Sequence, residues 1–157
     1  MKIALGTDHA GLPLKECIKA YLTELGHEVV DYGCYSKEST HYPIFVQYAA
    51  KAVVNGICDC GVVFGGSGNG ETIAANKVKG VRCALTWTAE TGRLAKEHNN
   101  ANVISMGARV VPKEDAKAAV KAWLEAKFEG GRHQTRISML EEDLDPPRGF
   151  DPLPSGV

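Results

Sequence analysis

The sequence predicts an α/β protein: three layers, α/β/α, built on a five-stranded parallel sheet with a helical C-terminal extension. Three observations lead there. Short apolar runs alternate five times with segments whose apolar residues recur at helical spacing. A strand followed by a helix and then another strand has the connection that a parallel pair requires. Glycine-rich or polar clusters follow several of the apolar runs, where open parallel sheets gather their ligands. At 157 residues, with 44% hydrophobic and 24% charged side chains, the chain suits one domain with a proper core.

Taken in order, Lys2 to Thr7 reads as a buried strand. Leu14, Cys17, Ile18, Tyr21, Leu22 and Leu25 then recur at helical spacing, with Pro13 tolerated in the first turn and Gly26 as the stop. Glu28 to Tyr32 is a second strand. A loop from Gly33 to Pro43 leads to a helix from about Ile44 to Asn55. Gly61 to Phe64 is the third strand, followed by a glycine loop and a helix from Thr72 to Val78. Val81 to Thr86 is a fourth strand, Ala89 to Glu97 a helix, and Asn102 to Met106 a fifth strand. Pro112 introduces a helix from Glu114 to Phe128, and a short helix runs from Glu129 to about Leu144. The domain is therefore expected over 1–144. Four prolines and two glycines break regular structure after Asp145, so 145–157 is expected to be a flexible tail.

Composition removes several function classes. A net charge of −1 leaves no broad basic face for nucleic acid. No apolar run approaches a membrane span. Met1-Lys2-Ile3-Ala4-Leu5 enters a strand pattern directly, with no signal-peptide layout. The five cysteines, Cys17, Cys34, Cys58, Cys60 and Cys83, form neither a redox nor a zinc motif; reduced thiols in a cytoplasmic protein are expected, and no metal.

The stretch richest in chemistry runs from Gly65 to Lys77, with four glycines in its first six residues. Strand, glycine turn and helix aim free backbone N–H groups at an anion. The dinucleotide fingerprint fails, because counting from Gly66 puts Glu71 where the third glycine belongs; the phosphate-loop motif fails because Gly70 is followed by Glu71-Thr72 and no lysine. A nucleotide-binding domain is disfavoured accordingly. A carboxylate beside an anion nest makes sense as a proton carrier, with the nest holding a charge that appears only during reaction.

Other residues stand where chemistry is possible. Asp8-His9 closes the first strand; Asp suits a hydroxyl or plain turn geometry, and His a phosphate or a proton. Arg132 and Arg136 are four apart on one helix face and suit a phosphate, or else pair with Glu129 or Glu141 in solvent. Arg109 follows Gly107 at a strand end. His98-Asn99 precedes the fifth strand, toward the opposite end of its own sheet, so a second subunit would have to bring it to the same site. Tyr42 lines a site or packs. His27 and His133 have no partners recognisable in the sequence and read as structural or solvent-facing.

Together these stretches resemble the ribose-5-phosphate isomerase B family, the ribose/galactose sugar-phosphate isomerases. The matching segments are Gly6-Thr7-Asp8-His9-Ala10-Gly11, Tyr42-Pro43, Gly66-Ser67-Gly68-Asn69-Gly70, Ile73-Ala74-Ala75-Asn76-Lys77, His98-Asn99, Gly107-Ala108-Arg109 and Phe128-Glu129-Gly130-Gly131-Arg132-His133. The resemblance implies a doubly wound, Rossmann-like fold, no cofactor, and active sites shared between subunits of a homodimer or dimer of dimers. It implies aldose–ketose interconversion of a phosphorylated sugar. Many members carry a cysteine base where Gly65 stands; a subgroup with glycine there and a glutamate at the position of Glu71 is closer to this chain. His41 departs from an aspartate common before the Tyr-Pro pair.

The resemblance thus implies Glu71 as base, His98 in ring opening with Asp8 assisting, and Ser67 with the backbone from Gly66 through Gly68, Asn69 and Gly70 around the enediolate. His9, Arg109, Arg132 and Arg136 would hold the phosphate, with Tyr42 and Asn99 also contacting substrate. A helix N-terminus lowers a carboxylate pKa, so burial of Glu71 must offset it. Ribose 5-phosphate is the expected aldose. A galactose or allose 6-phosphate, an erythrulose 4-phosphate, or a non-catalytic sugar-phosphate-binding subunit are the alternatives.

Overall fold

The computed structural model describes residues 1–142. Five parallel strands, β1 (Lys2–Thr7), β2 (Glu28–Asp31), β3 (Cys60–Gly65), β4 (Cys83–Leu85) and β5 (Val103–Gly107), form one sheet in the order β2-β1-β3-β5-β4. The helices are α1 (Leu12–Glu24), α2 (Tyr42–Val54), α3 (Asn69–Asn76), α4 (Ala89–Asn99), α5 (Lys113–Glu125) and α6 (Arg132–Ser138), the last followed by a 3-10 turn at Met139–Glu141. The expected three-layer, doubly wound fold is what the chain adopts.

Side chains alternate across the sheet, so each strand feeds two cores. Ile3, Leu5, Val62, Phe64, Ile104 and Met106 face α1, α4 and α5, with Trp123 buried among them and its Nε1 donating to the Ala101 carbonyl at 3.0 Å. Ala4, Val63 and Val103 face α2 and α3. The small residues on the second face let α2 lie close to the sheet: a Cβ on Gly6 would stand 2.7 Å from the Phe45 carbonyl oxygen. On the first face α4 and α5 touch backbone to backbone, since a Cβ on Gly92 would stand 2.3 Å from the Ala119 oxygen.

Several boundaries move from where periodicity puts them, and each has a local cause. Helix α2 starts at Tyr42 rather than Ile44, because Pro43 fits the first helical turn and lengthens the helix instead of the loop. Helix α3 starts at Asn69 rather than Thr72: Gly68 takes φ +83°, which turns the chain into the helix at once. Helix α5 ends at Glu125, three residues before Phe128, where Ala126 becomes extended with ψ 153°. Helix α6 starts at Arg132, after Gly130 and Gly131 at φ +66° and +55° reverse the chain. The expected end of that last helix near Leu144, the domain boundary there and the tail 145–157 lie outside the described residues.

One buried ion pair ties the sheet edge to α1. Lys15, fully buried, donates from Nζ to Asp31 Oδ1 at 2.7 Å and Oδ2 at 2.9 Å and to the Cys34 carbonyl at 2.8 Å. Burial pushes the Asp31 carboxyl up, but hydrogen bonds from Lys15, Lys19 and the Gly33 amide outweigh it and hold the group below its ordinary value. A carboxyl held down in the folded state adds stability that is complete above its unfolded pKa and is lost as pH falls through the folded one. Asp31→Ala leaves the buried Lys15 charge with only the half-exposed Glu16 carboxylate, 3.3 Å away, to pair it. The variant is expected to lose about 3 kcal/mol in urea unfolding at neutral pH. Asp31→Asn should show a flatter loss of stability below pH 3.8 than the parent chain.

Candidate active site

The sheet order sets the position of the site. From β1 the chain crosses to β2 on one side; from β3 it crosses toward β4 and β5 on the other. The carboxyl ends of the adjacent strands β1 and β3 therefore splay their loops apart, which opens a crevice. A cavity of about 470 Å³ lies there, lined by Asp8, His9 and Ala10 after β1, Tyr42 at the start of α2, Gly66, Ser67, Gly70 and Glu71 after β3, and Arg109 and Val110 after β5.

The glycine loop presents backbone donors to this cavity. The Asn69 amide donates to Ser67 Oγ at 3.3 Å, and the amides of Gly68 and Glu71 face the Glu71 carboxylate. The amides of Gly66, Ser67 and Gly70 have no protein acceptor among the described residues. Gly68 and Asn69 themselves do not line the cavity; Gly68 is packed against Leu85 and Met106, and its carbonyl accepts from Ser105 Oγ at 2.8 Å.

Glu71 lies in the first turn of α3 and is 3% exposed. Its carboxyl fills the space a side chain at residue 65 would take: a Cβ built on Gly65 falls 1.9 Å from Glu71 Oε1 and 2.1 Å from its Cδ. Burial lifts the carboxyl above its ordinary value, and the neighbouring Asp8 charge adds to the rise; the amides of Glu71 and Gly68 oppose it without cancelling it. The competition between burial and the helix N-terminus is thus won by burial.

Asp8 is buried and partly committed to the turn, since its Oδ1 accepts from the amides of Ala10 and Gly11 at 2.9 and 3.0 Å. The His9 Nδ1 accepts from the Thr40 amide at 3.2 Å, which leaves Nε2 to carry the proton of the neutral ring and to donate. The Tyr42 ring covers Gly70, with Cζ 2.7 Å from where a Cβ would stand. Arg109 lies over Gly66 and, like Arg132 and Arg136, joins no ion pair among the described residues. Thr86 is fully buried at the end of β4 and bonds to the Ser105 carbonyl, outside this cavity.

The remaining predicted residues gather elsewhere. His98, Asn99 and Arg136 line a second hollow of about 260 Å³ with His133, Ile137 and Leu140, and Arg132 is exposed at the start of α6. This group precedes β5, whereas the main cavity follows β1, β3 and β5. In a parallel sheet those are opposite ends, and five residues of β5 span about 16 Å. One chain does not bring both groups to one small molecule. His133, left without a partner by the sequence reading, is buried and stacks on His98 with centroids 4.4 Å apart and planes 8° from parallel. Its closeness to the Gly130-Gly131 reversal was the available signal. Val110 and Ala10 also line the main cavity and were not singled out; neither carries a titratable group to betray it.

Comparison with known proteins gives the family. A model of the ribose/galactose isomerase family matches residues 3–140. The ribose-5-phosphate isomerase B of Mycolicibacterium paratuberculosis is 46% identical over 144 residues, covering 90% of this chain and 91% of that one. The structure of Clostridium thermocellum ribose-5-phosphate isomerase B matches with TM-score 0.87 at 46% identity, covering 88% of this chain and 93% of its own. That of the Mycoplasma genitalium enzyme, with bound ribulose-5-phosphate, matches with TM-score 0.83 at 40% identity, covering 87% and 91%. With its matched fold, its glycine loop at the switch point and a near-full-length family match, this chain belongs to the ribose/galactose isomerase family.

Proposed function

We propose that the chain is a ribose-5-phosphate isomerase, interconverting ribose 5-phosphate and ribulose 5-phosphate by proton transfer through a cis-enediolate. The observation that carries this reading is the buried Glu71 carboxyl, raised in pKa and set beside unpartnered backbone amides at the mouth of the sheet. A carboxylate so placed takes a proton from carbon, and the amides stabilise the oxyanion that results. The relatives named above supply the substrate class.

The aldose arrives closed. His98 acts on the ring oxygen and Asp8 on a sugar hydroxyl to open it. Glu71 then removes the C2 proton of the aldehyde, and the electron pair moves through the new C1–C2 double bond onto O1. The amides of Gly66, Ser67 and Gly70, with the Ser67 hydroxyl, hold the enediolate. The O2 proton then passes to O1, the C2 carbonyl forms as the double bond yields its electron pair to C1, and Glu71 returns its hydrogen to C1. His9 and Arg109 from one chain hold the phosphate with Arg132 and Arg136, and Asn99 and Tyr42 hold hydroxyls. The exchange of one proton between adjacent carbons calls for no cofactor.

His98, Asn99, Arg132 and Arg136 come from a second copy in this reading, which makes the working unit a homodimer or a dimer of dimers. Support comes from the separation of the two residue groups and from the exposed apolar side chains Ile44, Tyr48 and Ile73 on the outer faces of α2 and α3. No helix among the described residues is long and apolar enough to cross a membrane, and the five cysteines are free. A cytoplasmic location fits both. Glycine at 65 with the Glu71 carboxyl in its place also fits the glutamate-base subgroup.

The test of the activity is conversion of ribose 5-phosphate by pure, metal-free protein, with galactose, allose and erythrulose phosphates as comparisons. Glu71→Gln should keep substrate binding and lose about 10³-fold in turnover. Retained turnover would reject Glu71 as base. In the parent chain kcat/KM should fall as pH drops through an apparent pKa above 4.5, because only the ionised carboxyl accepts a proton. A carboxyl raised in the folded state lowers stability as pH rises from its unfolded value through the folded one, so Glu71→Gln should also melt higher than the parent at neutral pH.

Gly65→Ala puts a methyl group where the Glu71 carboxyl lies, and the flexible end of that side chain must move aside. The variant should unfold near the parent's midpoint in thermal melts while kcat falls about 10²-fold. Mixing Glu71→Gln with His98→Ala protein should restore activity, since hybrid dimers carry one intact shared site; no recovery after subunit exchange would place both residues on the same chain's site.

A further inference from the structure

Helix α4 ends with His98 in its last turn, where a histidine side chain is half-exposed and makes no hydrogen bond among the described residues. A general acid must nevertheless reach its target at a set angle. What fixes the ring here is packing. Beyond α5 the chain runs extended back to α4, where the Glu129 amide donates to the Glu97 carbonyl at 3.0 Å. Gly130 and Gly131, at φ +66° and +55°, then reverse it into α6, and the His133 amide donates to the Gly130 carbonyl at 3.0 Å.

That path sets the His133 imidazole flat against His98, with centroids 4.4 Å apart and planes 8° from parallel. His133 is 7% exposed, and its Nε2 is buried with no hydrogen-bond partner, 3.4 Å from Glu129 Oε2. The same carboxylate oxygen is 3.9 Å from His98 Nε2. These three side chains are the donors of many transition-metal sites, but a metal lies in the plane of each imidazole it binds. Two stacked, near-parallel rings keep their planes apart, so no single ion lies in both. A flat contact of this kind suits orientation instead.

We propose that His133 is a positioning residue for ring opening: its buried ring is the platform that holds the His98 imidazole at its working angle, with Glu129 closing the edge where the two Nε2 atoms lie. This rests on the reading of His98 as the ring-opening group. His133 touches neither substrate nor the reacting atoms in this assignment. The flat face is what matters, so an aromatic ring without titratable nitrogens serves in its place.

The chemistry of the two substrates supplies the test. In ribulose 5-phosphate the oxygen on C5 carries the phosphate, so no hydroxyl can close a five-membered ring on C2, and the ketose enters open. Proton exchange at its C1 in heavy water therefore needs Glu71 and the amides but no ring opening. Turnover of ribose 5-phosphate needs both. His133→Ala should lower aldose turnover about tenfold while deuterium uptake into ribulose 5-phosphate, followed by proton NMR, stays within about twofold of the parent. His133→Phe should recover most of the aldose turnover. Equal loss of both rates in His133→Ala, or a His133→Phe variant no better than His133→Ala, would overturn the assignment. His98→Ala is the control: it should slow aldose turnover and spare ketose exchange. If it instead changes both rates equally, or neither, the ring-opening role of His98 itself is what fails, and the platform loses its purpose with it.

Discussion

The candidate site depends on one mutual exclusion. The space over the last residue of β3 holds either a side chain at position 65 or the Glu71 carboxyl, with a built Cβ only 1.9 Å from Oε1. Glycine at 65 lets the carboxyl fold back from the first turn of α3 onto the strand end. There it leaves solvent, and burial rather than a charged neighbour becomes the main cause of its raised pKa. A carboxylate at a helix N-terminus is ordinarily stabilised as an anion. Here the same helix start supplies only a partial counterweight to burial.

The rest of the fold can be read as support for that arrangement. Parallel strands buried on both faces give a rigid floor, and the order β2-β1-β3-β5-β4 places the ends of β1 and β3 side by side where their connections part. Gly11 and Gly68 allow the loops to pack without a Cβ: at Gly11 it would fall 2.2 Å from Thr7 Oγ1 and 2.7 Å from the Gly65 amide. The loop residues that line the cavity are thus seated on a frame with little freedom. The second group, at the amino end of β5, uses a different device, an extended segment and a double-glycine reversal that brings α6 against the end of α4.

Much of this was legible in the sequence because it is local. The alternation of apolar runs and helical periods is a short-range pattern, and the glycine loop declares itself within six residues. The positions of Asp8, His9, Glu71 and Arg109 follow from the rule that parallel sheets collect function at their carboxyl ends. What was not legible depends on contacts across the chain. The extended run after Glu125 is set by the docking of Glu129 on α4, and nothing in Ala126 to Phe128 announces it. His133 had no neighbour in sequence to suggest the stack on His98, thirty-five positions away. The collision between a side chain at 65 and the carboxyl of 71 is a distance in space, so the spacing of the two residues could hint at it without revealing it.

The hydrogen bond from the Thr40 amide to His9 Nδ1 ties the pocket to a segment outside it. Thr40 belongs to the connection between β2 and α2, not to a strand end, and its amide holds one edge of the imidazole, leaving Nε2 as the ring's remaining polar atom. A change of length in that connection would therefore reach the cavity wall as a tilt of one ring, with every lining residue unaltered.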